Sequence, residues 1–239
     1  MTLQQDRIRL EGVAKNFKMH LRGGAMLPVV ENVTFNVPAG KCVVLGGPSG
    51  IGKSSILKMI YGNYRSGRGR ILVREDNGWC DIAAASPRRV LQLRSTTLGY
   101  VSQFLRTIPR VSALDIVVAG AQARGSDEQR AEETARTLLT KLNVPERLWD
   151  LAPATFSGGE QQRINIACGF AAAHPVMLLD EPTASLDQSN REVVIDLIEE
   201  SKQRGTAILG IFHDEDVRAR LADEIIDVTR FQPKVPAHA

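Results

Sequence analysis

An α/β fold built on a mostly parallel sheet is what the sequence predicts, on three observations. Short apolar runs recur as KCVVL at 41–45, VMLLD at 176–180 and AILGIF at 207–212. Segments with a helical period separate these runs, so strands and helices alternate. The first run ends in glycines and passes straight into a helical pattern. The chain has 239 residues, 43% of them hydrophobic, enough to bury the core of one large domain.

Each element has its own signal. Residues 7–17 and 29–37 alternate loosely, with Val33, Phe35 and Val37 on one side, which predicts two β-strands around a Gly23-Gly24 turn region. Residues 41–45 predict a buried strand. From Lys53 the apolar positions Ile56, Leu57, Ile60 and Tyr64 keep helical spacing. LGYVS at 98–102 reads as a strand. Residues 104–172 read as mainly helical, an insertion into the sheet. Within them Ser112 and Asp115 form a capping-box-like start. DEQRAEETARTLLTKL at 127–142 is rich in helix formers, with Pro145 just beyond. VMLLD follows Pro175 as a buried strand. Ser189 with Glu192 predicts the cap of a helix running to about 204, which Gly205 ends. Residues 207–212 and 224–228 predict further strands, and 231–239 a loose tail.

Composition excludes several classes. The formal charge is +3, with Lys and Arg spread along the chain, so charge makes no case for direct nucleic-acid binding. Cys42, Cys80 and Cys168 are odd in number and form no C-x-x-C pair, which points away from a disulfide framework and toward a reducing, cytoplasmic setting. MTLQQDRIRL lacks the apolar core of a signal peptide, and IVVAGA and VMLL are too short to span a bilayer. A role at a membrane would need another chain for the spanning part.

The chemistry is carried by spacing. Gly47-Pro48-Ser49-Gly50-Ile51-Gly52-Lys53-Ser54, followed by Ser55, matches the phosphate-loop pattern G-x-x-x-x-G-K-[ST]. Glycines let successive N–H groups turn toward phosphate oxygens, and the helix N-terminus adds positive partial charge. Lys53 would reach the β- and γ-phosphates and Ser54 would hold Mg²⁺. Phosphoryl transfer also needs a carboxylate for the metal and a group to orient water. Asp180 and Glu181, at the end of VMLLDE, are candidates for these two tasks. Gln103 and His213 also follow predicted strands, where ligands of open α/β sheets gather. The glutamine amide could touch the metal or the water, and the histidine the γ-phosphate. A second small-residue loop, TFSGGEQQR at 155–163, opens another helix and offers another anion site through Ser157, Gly158 and Gly159.

These elements, GGPSGIGKSS, Gln103, FSGGEQQR, VMLLDEP, Ser185-Leu186-Asp187 and His213, stand in the order found in ATP-binding cassette (ABC) ATPases, which the chain resembles over nearly its whole length. The resemblance implies a three-layer P-loop NTPase core with a mostly parallel sheet, an N-terminal antiparallel β subdomain and an inserted helical subdomain. One domain would span 1–239, with the α/β core at about 1–103 and 173–230, the helical part at about 104–172 and the tail at 231–239. Two subunits, identical or related, would pair head to tail. Ser157, Gly158, Gly159 and Glu160 of one would then close over the ATP held by the other's phosphate loop. Phe17 would stack on adenine, Asp187 would lie near the subunit boundary, and Gln103 would join Ser54 and Asp180 around Mg²⁺. Lys53, Glu181 and His213 would be the catalytic set. Two positions depart from the common pattern: Glu160 stands where glutamine is frequent, and Cys168 where arginine is frequent.

Three flanking segments, YVSQFLRTIPRVSALDIV, LNVPERLWDLAPATFSGGEQQRINIACGF and GIFHDEDVRARLAD, are similar to the ATP-binding L-subunit family (PhnL) of the bacterial phosphonate carbon–phosphorus lyase system. That resemblance implies soluble lyase-complex subunits as partners. It also implies a part in joining a phosphonate to the ribose of ATP, giving ribose 1-phosphonate 5-triphosphate. The alternative is the ATPase of a membrane exporter with a permease partner, since SGGEQQR also resembles lipoprotein-release and macrolide-export ATPases. A small-molecule kinase would leave 157–161 without a task. A chromosome-maintenance ATPase would need a long coiled-coil insertion.

Overall fold

The computed structural model describes residues 5–19, 24–105 and 109–233. Strands β1 (Asp6–Met19) and β2 (Ala25–Pro38) pair antiparallel, with Val33, Phe35 and Val37 all buried. Gly23 of the predicted turn and residues 234–239 of the predicted tail lie outside the described residues. Next come β3 (Cys42–Gly46), α1 (Lys53–Ile60), β4 (Arg68–Glu75), β5 (Gly78–Asp81) and α2 (Pro87–Thr96). After β6 (Leu98–Val101) the chain enters the helices α3 (Ala113–Gln122), α4 (Glu128–Lys141) and α5 (Gly158–Ala171). It returns through β7 (Val176–Asp180), α6 (Gln188–Gln203), β8 (Ala207–Ile211), α7 (Glu215–Leu221) and β9 (Glu224–Asp227).

Two sheets result. One is antiparallel, in the order β2-β1-β4-β5; the other is parallel, in the order β6-β7-β8-β3-β9. The parallel strands are apolar without a break because both their faces are covered. Val43, Leu45, Leu178 and Leu209 pack with α1 and the inner side of the antiparallel sheet. Cys42, Val44, Met177, Leu179 and Ile208 pack with residues of α3 to α6. The fold is therefore three-layered, and the parallel sheet is its middle layer. All three cysteines are free thiols, and burial pushes Cys42 up to about 12.

The predicted strands and helices of the parallel core are present. The cap predicted at Ser189 is not. Asp187 caps α6 by accepting from the N–H of Asn190 (2.8 Å), and Ser189 lies in the first turn, its hydroxyl donating to Asp187 (2.9 Å). A carboxylate two residues earlier is the better acceptor for the first-turn N–H groups. Gly205 ends the helix in the left-handed region, as predicted (φ 89°).

Candidate functional site

The carboxyl ends of β3, β6, β7 and β8 lead into the predicted chemistry. β3 leads into the loop 47–52, β6 into Gln103, β7 ends at Asp180 with Glu181 next, and β8 is followed by His213. Gly47, Gly50 and Gly52 all have positive φ, of 118°, 81° and 110°. At Gly52 a Cβ would also lie 2.7 Å from a methyl of Val30, so both backbone and packing demand glycine there. The Lys53 ammonium donates to the carbonyls of Gly47 (2.7 Å) and Pro48 (2.8 Å), which folds it back over the loop. Desolvation holds Lys53 below the usual lysine range, partly offset by Glu181 and Asp180.

Asp180 is buried, and each of its oxygens accepts one hydrogen bond. The Ser54 hydroxyl donates to Oδ1 (2.9 Å) and the Tyr100 hydroxyl to Oδ2 (3.0 Å). Glu181 has a left-handed backbone (φ 56°), unusual for a long side chain. Its N–H donates to Ile211 (3.1 Å), so the turn is tied into the sheet. Its carboxylate accepts from the Gln103 amide (3.3 Å) and meets His213 Nε2 at 2.7 Å. Five predicted residues thus fall into two bonded groups, Ser54 with Asp180, and Gln103 with Glu181 and His213.

A cleft of about 320 Å³ joins Phe17, Leu27 and Val29 to Ser49, Gly50, Gly52, Lys53, Ser54, Ser55 and Glu181. Phe17 therefore shares one cavity with the phosphate loop. Its ring stands edge-on to Tyr64 (centroids 5.3 Å, 86°), with the Lys15 ammonium 4.6 Å from its centre. A larger cleft, about 640 Å³, lies between α1 and α2, but no phosphate loop forms its walls. Chemistry therefore singles out the smaller cleft.

Ser157, Gly158, Gly159 and Glu160 are not among the walls of the 320 Å³ cleft. They open α5 with a full capping box. The Ser157 hydroxyl accepts from the Glu160 N–H (3.3 Å) and lies 2.7 Å from the Glu160 carboxylate, which also accepts from the Ser157 N–H (2.9 Å). Those bonds hold the Glu160 carboxyl below the usual range. Gly158 has a feature that packing leaves unexplained. Its φ is not positive, and a Cβ added there would meet nothing within 4 Å. Asp187 stays with its cap, its carboxyl held low by the Asn190 N–H. Cys168 lies where α3 crosses α5, and a Cβ on Gly120 would sit 2.7 Å from the Cys168 carbonyl, so this departure falls at a helix crossing.

Tyr100 was not among the predicted site residues. Its place beside Asp180 depends on β6 pairing with β7, with Tyr100 opposite Leu178, which no local pattern states. The oxygens of Ser54 and Asp180 suit Mg²⁺, a hard cation that takes one or two protein oxygens beside substrate phosphates. Among the described residues no group of three or more His, Cys, Asp or Glu could hold a metal by itself, and no helix is long and apolar enough to cross a membrane.

Residues 30–184 match the family model described as ABC transporter. The chain is 30% identical to the lipoprotein-releasing system ATP-binding protein LolD of Shewanella sp. (strain MR-4), covering 99% of this chain and all of that one. It is 32% identical to the macrolide export ATP-binding/permease protein MacB of Brucella abortus, covering 92% of this chain and 33% of that protein. Its fold matches the dimeric ATP-binding cassette MJ0796 bound to ADP and Pi, with a TM-score of 0.81, 28% identity and coverage of 92% and 93%. These relatives are named for release and export. The expected likeness to the phosphonate lyase subunit finds no counterpart among them. On the match over residues 30–184 and the agreement of fold, the chain belongs to the ABC transporter ATP-binding family.

Proposed function

We propose that the chain binds ATP with Mg²⁺ in the cleft between Phe17 and the phosphate loop, and hydrolyses it as one half of a head-to-tail pair. Gly158 carries this reading. Gly158 is the first residue of α5, and neither backbone nor packing in this chain asks for glycine there. The requirement comes from outside the chain, where a second copy or a related ATPase would bring its bound nucleotide against the N-terminus of α5. Family membership and the dimeric MJ0796 cassette support the pairing.

In that pair the loop 47–52 and Lys53 hold the phosphates, with Ser55 at the same helix start, and Phe17 faces adenine. Ser54 and Asp180 would hold Mg²⁺, which neutralises charge on the phosphate oxygens, and Gln103 would join them when the metal is bound. Glu181 polarises the attacking water and receives its proton. Gln103 and His213, both bonded to the Glu181 carboxylate, aim it. Ser157 of the facing copy must release its hydrogen bond to Glu160 before donating to phosphate. Asp187 adds a contact at the seam. Gel filtration of Glu181→Gln with ATP and Mg²⁺ tests the pairing. A dimer seen only with ATP is expected, and a monomer under all conditions counts against it.

What the engine drives is read in two ways. The release and export relatives favour a membrane permease that this chain would couple to ATP. The three flanking segments favour soluble subunits of phosphonate breakdown, with ATP hydrolysis serving ribose 1-phosphonate 5-triphosphate formation. Relatives named for release, export and osmoprotectant import share 30%, 32% and 33% identity, a level that fits the engine without separating its loads. Co-purification decides. A permease retained with the chain supports the first reading, and lyase subunits retained with it support the second.

A further inference from the structure

We propose that Tyr100 is a positioning residue for the metal-binding carboxylate, an inference that rests on Asp180 serving Mg²⁺. Asp180 is only 2% exposed, and a buried carboxylate left to rotate would be both costly and badly aimed. The Tyr100 hydroxyl occupies Oδ2 at 3.0 Å and so turns Oδ1 toward Ser54 at 2.9 Å. A carboxylate offers about four lone-pair sites, so one bond on each oxygen leaves room for a cation beside Ser54.

The register explains how the contact arises. Tyr100 of β6 lies opposite Leu178 of β7, and Asp180 is two residues further along the same face. A long side chain spans that diagonal. The tyrosine ring is itself braced. It stacks on Tyr61, centroids 4.8 Å apart and planes at 28°. The Arg94 guanidinium lies 4.3 Å from the centre of the Tyr61 ring, and its Nε donates to the Tyr61 carbonyl (2.9 Å). Tyr61 caps the end of α1, whose second residue is Ser54. One helix therefore delivers the serine at its start and the ring that steadies Tyr100 at its end, while α2 clamps that ring from outside. Groups that orient a ligand in this way commonly change metal affinity 10–100-fold when removed.

Mn²⁺ serves as the probe, titrated by electron paramagnetic resonance into ATP-loaded Glu181→Gln protein. Adding Tyr100→Phe is expected to weaken Mn²⁺ binding about tenfold. ATP binding in EDTA should stay unchanged. Superimposed Mn²⁺ curves would overturn the inference. Asp180→Asn separates it from the reading beneath it. If that change leaves Mn²⁺ affinity intact, the metal role of Asp180 fails, and if it alone weakens binding, only the role of Tyr100 fails. Should Tyr100→Phe melt early, Tyr61→Leu takes its place, since it keeps the hydroxyl and removes the brace. Weaker Mn²⁺ binding then supports the inference, and unchanged binding overturns it.

Discussion

The loop 47–54 and the loop 157–160 are both glycine-rich helix starts, yet they are built in opposite ways. The first is finished within the chain. Gly52 is fixed by φ and by Val30, Lys53 is folded onto its own loop carbonyls, and Ser54 is bonded to a buried carboxylate. The second is finished only at its cap. Gly158 faces open space, and the Ser157 hydroxyl is spent on its neighbour Glu160. One loop is braced by the core and the other is presented outward. The contrast is the one the proposed pairing requires, with the two loops serving one ligand from two molecules.

Breaking the braced side chemically has the largest effect. Glu181→Gln should lower turnover by about 10³, within the usual range for a positioned base, while ATP still binds. A fall of less than about tenfold would remove Glu181 as the base. Ser157→Arg should likewise abolish turnover yet leave ATP binding by a single chain near normal, measured by fluorescent-nucleotide titration. Normal turnover in that variant would remove the outward loop from the site. Lys53→Ala attacks the first loop directly. Losing one charge-assisted bond to phosphate costs about 2 kcal/mol, roughly thirtyfold in ATP affinity. Unchanged affinity would show that the cleft is not the phosphate site.

Gly-to-Ala swaps sharpen the contrast at lower cost. Gly52→Ala should destabilise the fold by about 1–3 kcal/mol, because φ 110° and the Val30 contact both resist a side chain. Gly158→Ala should leave the melting temperature level or slightly raised and still slow turnover. Equal destabilisation by both swaps would erase the difference between the loops.

A pH-dependent effect is expected at the joint between α5 and β7. His174 follows α5 and precedes β7, its Nδ1 is buried without a partner, and its carbonyl accepts from Thr206 (3.1 Å). Burial, then the charge of Arg124, pulls its pKa down to about 4. The unfolded chain takes up this proton near pH 6.5 and the folded chain only near pH 4, so stability falls as pH drops through that window. The loss is about 3 kcal/mol, and His174→Gln should flatten that part of the pH–melting curve. An unaltered curve would place the acid sensitivity elsewhere.

Much of this was legible in the sequence because it is local. The phosphate loop, the VMLLDE strand end and the α5 start are contiguous, so spacing alone locates them. The hairpin of β4 and β5 around Asp76-Asn77-Gly78 and the Ser86-Pro87 start of α2 also carried turn and cap signals, but arginine-rich surroundings hid the apolar pattern. α7, seven residues long, is too short to show a period. The cap of α6 was misplaced because Asp187 and Ser189 are both good N-caps, and only the backbone decides between them. Tyr100 was out of reach, since its partner lies 80 residues away across a parallel pairing.

The pairing itself is tested most directly by cross-linking. Ser49→Cys and Ser157→Cys are placed together in a Glu181→Gln chain whose Cys80 is replaced by serine, and the thiols are oxidised with and without ATP. A covalent two-chain product that forms only with ATP is the expected result. A link closed within one chain, or a two-chain product indifferent to ATP, would contradict a nucleotide held between two copies.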